Sequence, residues 1–122
     1  MPRPVHFEIH ADDTERASRF YSTVFGWNIH KWDGPEEYWL ATTGEDGEPG
    51  NNGAIMERPD PAVAGMNYIG VDSVDEFTEK VVAGGGKVVM PKMAVPGVGY
   101  AAACSDTEGN HFGLFQDDPS AA

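Results

Sequence analysis

His6, Glu8 and His10 alternate along the stretch VHFEIHADD, residues 5–13. An extended strand sends successive side chains to opposite faces, so these three share one face and Phe7 and Ile9 the other. Two imidazoles and a carboxylate can hold a divalent ion, move a proton, or simply line the wet side of a half-buried strand. Strand rise places Glu8 roughly 7 Å and His10 roughly 13 Å from His6. His6 and Glu8 can therefore share one ligand, while His10 is expected at the rim. Glu57 would complete a three-donor set with them, provided its strand turns Gly53, Ile55 and Glu57 inward. Without metal, Glu8 beside His6 is a candidate acid–base pair, because burial tunes the proton affinity of a carboxylate.

Further residues could serve a binding surface. Trp27, Trp32, Tyr38 and Trp39 are dense for so short a chain. Tyr38 and Trp39 are adjacent, so one of them must face the same way as His6 and could stack on a planar ligand. Met56, Met66, Met90 and Met93 are adaptable apolar packing or a ligand wall. Cys104 lacks an electropositive setting and is read as buried and inert. GGG at residues 84–86 ends a helix instead of opening one, which argues against a phosphate loop. His30 and His111 are expected as strand-surface residues.

The elements that must position these groups are written twice. After the first strand, Asp12 is expected to cap a helix with Glu15 as its third-position partner. A stripe of Ala17, Phe20, Tyr21, Val24 and Phe25 is expected to face inward, and Gly26 to stop the helix. Strands follow at WNIHKW, EYWLATT and AIME, then a connector, RPDPAVAG. The second half repeats the plan with the strand MNYIGVD, the capping box SVDE, and three strands at KVVMPKM, GYAAACS and HFGLFQ. At an offset of 60, residues 6–29 align with 66–89 without a gap, and Gly53 meets Gly113. The expected fold is α+β: modules 1–58 and 66–117, each βαβββ, joined by the Pro-rich connector within one domain. Each module has one helix to cover one sheet face. The eight strands would form a cupped mixed sheet with helices outside and His6, Glu8, Met66 and Tyr68 pointing into the hollow.

Composition narrows the partners. A net charge of −12 repels phosphate backbones, so nucleic acid is not expected. No stretch approaches the apolar length of a membrane span, and the first residues do not resemble a signal peptide. One cysteine excludes an internal disulfide framework and fits a reducing cytoplasm.

FEIHADDTERASRFYSTVFGW, SVDEFTEKVVAGGGKV and SDTEGNHFGLFQ resemble the vicinal oxygen chelate superfamily, which includes glyoxalase I, bleomycin-resistance proteins and extradiol dioxygenases. The likeness covers nearly the whole chain and implies paired βαβββ modules, a cupped sheet and often a homodimer. In metal-dependent members it implies four ligands, on the first and last strands of each module. Carried onto this chain, those positions fall on His6, Met66, Gly113, and Gly53 or Met56. One hard donor survives, so no cofactor is expected, and a divalent metal would need Glu8 and Glu57 as helpers. The expectation is a cytoplasmic protein binding a small organic molecule, with His6, Glu8 and Tyr68 as polar anchors and Trp39, Tyr38, Met56 and Met66 as walls. Two alternatives stay open: a metal-dependent lyase, isomerase or dioxygenase, and a metal-free acid–base enzyme centred on Glu8.

Overall fold

Period-two runs give eight strands and two capped stretches give two helices in the computed structural model, which describes residues 2–122. In chain order these are β1 (Arg3–Ala11), α1 (Thr14–Phe25), β2 (Asn28–Lys31), β3 (Tyr38–Thr42), β4 (Gly53–Glu57), β5 (Gly65–Gly70), α2 (Val74–Ala83), β6 (Lys87–Val95), β7 (Gly99–Ser105) and β8 (His111–Asp117). The α+β class and the doubled βαβββ order are as expected. Among the described residues no helix is long and apolar enough to cross a membrane. The chain divides into two units: residues 6–66, and residues 67–122 together with the segment up to Val5.

In the first unit the strand order is β2-β3-β4-β1, with β4 parallel to β1 and antiparallel to β3. Register fixes the faces. Phe7 lies opposite Gly53, Ile9 opposite Ile55, and Ala11 opposite Glu57, while Trp39 lies opposite Ile55. This is the face toward α1, where Ile55 is fully buried and Phe7 meets Trp27, which stacks on Tyr21. The other face carries His6, Glu8, His10, Tyr38 and Met56, since His10 and Tyr38 both lie opposite Met56.

Two expectations for α1 are corrected. Its cap is Asp13, not Asp12: the Asp13 carboxylate accepts from the Arg16 backbone N–H at 3.0 Å. Asp12 instead accepts from Arg58 Nε at 3.0 Å. The apolar stripe is also only partly inward: Ala17 and Tyr21 are half-buried, and Tyr21 stacks on Trp27. Thr14 and Ser18 are its buried residues, whereas Phe20, Val24 and Phe25 are more than half exposed. Small hydroxyl residues let the helix approach the sheet closely and satisfy their own hydrogen bonds, with Ser18 donating to the Thr14 carbonyl and Ser22 to the Trp27 carbonyl. Gly26 ends the helix as foreseen, in the left-handed conformation at φ 74°.

In the second unit the order is β5-β8-β7-β6, with β5 parallel to β8. Ser73 caps α2 by accepting from the Glu76 N–H at 3.1 Å, half of the capping box read from SVDE. Val74 of α2 packs in one core with Val71, Ala102, Cys104 and Leu114, flanked by Ile69, Phe112 and Phe77 of α2. Asp13 and Ser73 stand 60 residues apart as matching caps, but the repeat slips by one residue at the closing strand. Gly53 pairs with Phe7, on the helix side, while Gly113 pairs with Tyr68, on the side away from α2. A one-residue slip exchanges faces.

Leu114 is 2 % exposed at the centre of the second core. Leu114→Ala should lower unfolding free energy by about 2–5 kcal/mol in urea denaturation; a loss under about 1 kcal/mol would show that this core is not the one described.

Candidate functional site

Four side chains on the face of the first unit that turns away from α1 form one continuous hydrogen-bonded chain. His10 Nε2 lies 2.9 Å from Glu8 Oε1, the Tyr38 hydroxyl donates to Glu8 Oε2 at 3.2 Å, and His6 Nε2 lies 2.9 Å from the Tyr38 hydroxyl oxygen. Tyr38 has one proton, and it points to Glu8, so the His6 contact runs from Nε2–H to the phenol oxygen. Both histidines thus carry their proton on Nε2, and every donor in the chain points toward the Glu8 carboxylate.

His10 was expected at the rim and is instead buried. Its side chain is 3 % exposed and that of Glu8 6 %. The connector explains this. The His10 backbone N–H donates to the Ala64 carbonyl at 3.0 Å, and Arg58, tied to Asp12, also donates to the Val63 carbonyl at 3.1 Å. The chain therefore folds back along β1 beside the His10 position, which strand spacing alone cannot show. His10 Nδ1 is buried with no hydrogen-bond partner. A proton there would be a buried donor with nothing to receive it, which reinforces the Nε2–H tautomer.

His6 is held below its ordinary value of 6.5 by burial, with the nearby Glu8 charge opposing the shift. Its ring lies nearly parallel to Tyr38, with centroids 6.5 Å apart, and Trp32 meets Tyr38 edge-on at 6.2 Å. Trp32 folds over Gly34, where a Cβ would run into the indole ring. His6, Tyr38 and Trp32 are each half-buried, so an aromatic rim stands around the buried carboxylate.

Of the residues read from sequence, His6, Glu8 and Tyr38 come together, and Met56 shares their face opposite His10. Glu57 does not join them. It faces the α1 side opposite Ala11, because its strand does turn Gly53, Ile55 and Glu57 together but toward the helix. Trp39 is on that side too, beside Ser18, Ser22 and Ile29, and its indole N–H donates to Glu37. Met66 ends the first unit just after Gly65, which packs on the Glu8 carbonyl. Tyr68 belongs to the second unit, its ring lying over Gly113. His10 and Trp32 are the members that sequence reasoning did not assign to the site.

The donor set does not fit the superfamily's divalent ion. Of its four positions, His6 has a suitable nitrogen, already engaged with Tyr38, whereas Met66 offers a thioether and Gly113 nothing. On β4 the residues opposite Glu8 and His10 are Ala54 and Met56. Among the described residues no group of three or more His, Cys, Asp or Glu is placed to hold a metal.

The comparisons agree with this architecture. Residues 3–44 match the family model described as "Bleomycin resistance protein-like N-terminal". The chain is 32% identical over 123 residues to "Putative glyoxylase CFP32" of Mycobacterium tuberculosis, covering 93% of this chain and 45% of that protein. The chain thus spans about half the length of the curated relatives it matches. Methylmalonyl-CoA epimerase from Mycobacterium tuberculosis shares the fold with a TM-score of 0.70 at 14% identity, over 95% of this chain and 88% of that one. A glyoxalase/bleomycin resistance protein/dioxygenase superfamily member from Vibrio splendidus does so with a TM-score of 0.66 at 17% identity, over 97% and 100%. Together these likenesses support membership of the vicinal oxygen chelate superfamily, the group of glyoxalases, bleomycin-resistance proteins and dioxygenases.

Proposed function

We propose that this chain binds a small organic molecule on the face that carries His6, Glu8 and Tyr38, and does so without a resident metal. The observation that carries this reading is the buried Glu8 carboxylate, held by His10 and Tyr38 beneath a half-buried aromatic rim. Burying a charge costs several kcal/mol unless it is hydrogen-bonded, and a structural role alone would be served as well by an apolar residue. The rim supplies the rigid, flat contact that small ligands use. Met56 on the same face adds an adaptable apolar contact. A cytoplasmic homodimer is the setting that the single buried Cys104 and the superfamily resemblance support.

A metal-free acid–base reaction is the second reading, favoured by the polarity of the same chain of hydrogen bonds. A carboxylate that already accepts two hydrogen bonds has lone pairs left to take a proton, and Tyr38 could hold a substrate oxygen. One structural neighbour is by name an epimerase.

Three measurements test these readings. In amide NMR spectra, small planar fragments should shift β1 and β3 resonances, and Tyr38→Ala should weaken that binding about tenfold or more; a diverse fragment set that shifts neither strand refutes binding there. For the second reading, the protein should exchange deuterium from solvent into carbon beside a carbonyl, and Glu8→Gln should slow this by roughly 10²-fold or more; equal rates would remove the reaction. The His6 shift sets a pH dependence. Its folded value lies below 6.5, so the unfolded chain binds more protons between the two values. Stability should fall as pH drops from about 6.5 through the folded value, and His6→Gln should flatten that part of the melting-temperature profile. An unchanged profile in the variant would show that His6 is not the buried neutral group described.

A further inference from the structure

We propose that the ligand of this site is an organic cation, a protonated or quaternary amine, bound over His6, Tyr38 and Trp32 with Glu8 as its buried counter-charge. This deepens the binding reading and rests on it.

The inference begins with the charge of the cluster. Glu8 accepts from His10 Nε2 at 2.9 Å and from the Tyr38 hydroxyl, a neutral donor, at 3.2 Å. Nδ1 of His10 has no acceptor for a second proton, and burial holds His6 toward its neutral form. Two histidines beside a carboxylate would ordinarily suggest compensation. Here they supply hydrogen bonds without cancelling the charge, so the cluster carries a net negative charge in a partly dry setting.

No cation of the unit is placed to cancel it. Residues 6–66 contain four cationic and twelve acidic side chains. All four cations are engaged with other carboxylates: Arg16 with Asp13, Arg19 with Glu15, Lys31 with Glu37 and Arg58 with Asp12. Lys31 opposes Trp39, which puts it on the helix side of the sheet. An anionic ligand, whether carboxylate, phosphate or the coenzyme A ester named in a structural neighbour, would meet like charge and no partner.

The rim supplies the rest of the recognition. The faces of Tyr38 and Trp32 attract a cation through the negative face of the ring, an effect that strengthens with desolvation. Trp32 and Tyr38 stand at 75° to each other, which forms a corner instead of a flat wall. Gly34 beneath Trp32 is what lets the indole fold into that corner. A buried carboxylate behind an aromatic corner suits an ammonium group, and it discriminates by charge where aromatic stacking alone would not.

A matched series separates this from the binding reading on which it rests. Benzyltrimethylammonium, benzyl alcohol and benzoate share one ring and differ in charge, and each can be titrated against the folded protein by amide NMR. The expected result is shifts on β1 and β3, with the ammonium bound about tenfold more tightly than the alcohol and benzoate weakest. Glu8→Gln removes the charge at nearly constant shape, keeping one acceptor oxygen and turning an NH2 toward the other donor, and should erase the preference between ammonium and alcohol. Trp32→Leu should weaken the ammonium most, and its fold is checked by circular dichroism. Equal binding of all three, or tighter benzoate, overturns the cation assignment while small-molecule binding stands. Absence of shifts from all three, alongside hits at the same strands in the wider fragment set, also overturns the cation assignment. Absence in both removes the binding reading with it.

Discussion

The burial of one carboxylate organises the face of residues 6–66 that turns away from α1. Glu8 is surrounded by protein on a sheet surface that has no arginine or lysine to neutralise it, so its charge must be carried by hydrogen bonds. That requirement fixes the tautomer of His10, the direction of the Tyr38 hydroxyl and, through Tyr38, the donor nitrogen of His6. Remove the charge and none of these orientations is required. The polarity of the whole chain of hydrogen bonds follows from one anion, which is why the site is best described outward from Glu8.

Strand pairing puts the anion where it is. Parallel pairing of β1 with β4 and antiparallel pairing of β4 with β3 bring positions 6, 8 and 10 to the same side as Tyr38, 30 residues from Glu8 in sequence. The same pairing sends Glu57 and Trp39 to the helix side. Those two assignments depended on register, and a shift of one residue in either strand would have reversed both. The connector then closes over His10, so a residue at the end of a strand becomes one of the most buried groups in the unit.

Much of this was legible in the residues. Alternation along VHFEIHADD placed three polar groups on one face, and the adjacency of Tyr38 and Trp39 required one of them to join that face. The glycine stop at Gly26 and the SVDE cap follow from local chemistry that needs no tertiary context. What failed was decided by contacts distant in sequence. Periodicity marked Phe20, Val24 and Phe25 as an inward stripe, yet the helix approaches its sheet through Thr14 and Ser18, because short hydroxyl side chains permit a closer approach. Asp12 and Asp13 are equivalent as caps on paper, and Arg58, 46 residues beyond Asp12, draws the first away.

The one-residue slip between the halves bears on which side chains stand at the superfamily's ligand positions. With Gly53 turned to the helix side, β4 offers Ala54 and Met56 beside Glu8 and His10. In the other half Gly113 keeps the side of Tyr68, and the ring fills the space where a side chain would stand. At the family's closing-strand positions neither half offers a hard donor, and the reasons differ: a change of face in one and a missing side chain in the other. Restoring one donor would therefore leave the set incomplete. His6, the one family position with a suitable nitrogen, has been drawn instead into the hydrogen-bonded chain around Glu8. On this face two histidines and a phenol are arranged around a single carboxylate, so the side chains that surround Glu8 are hydrogen-bond donors.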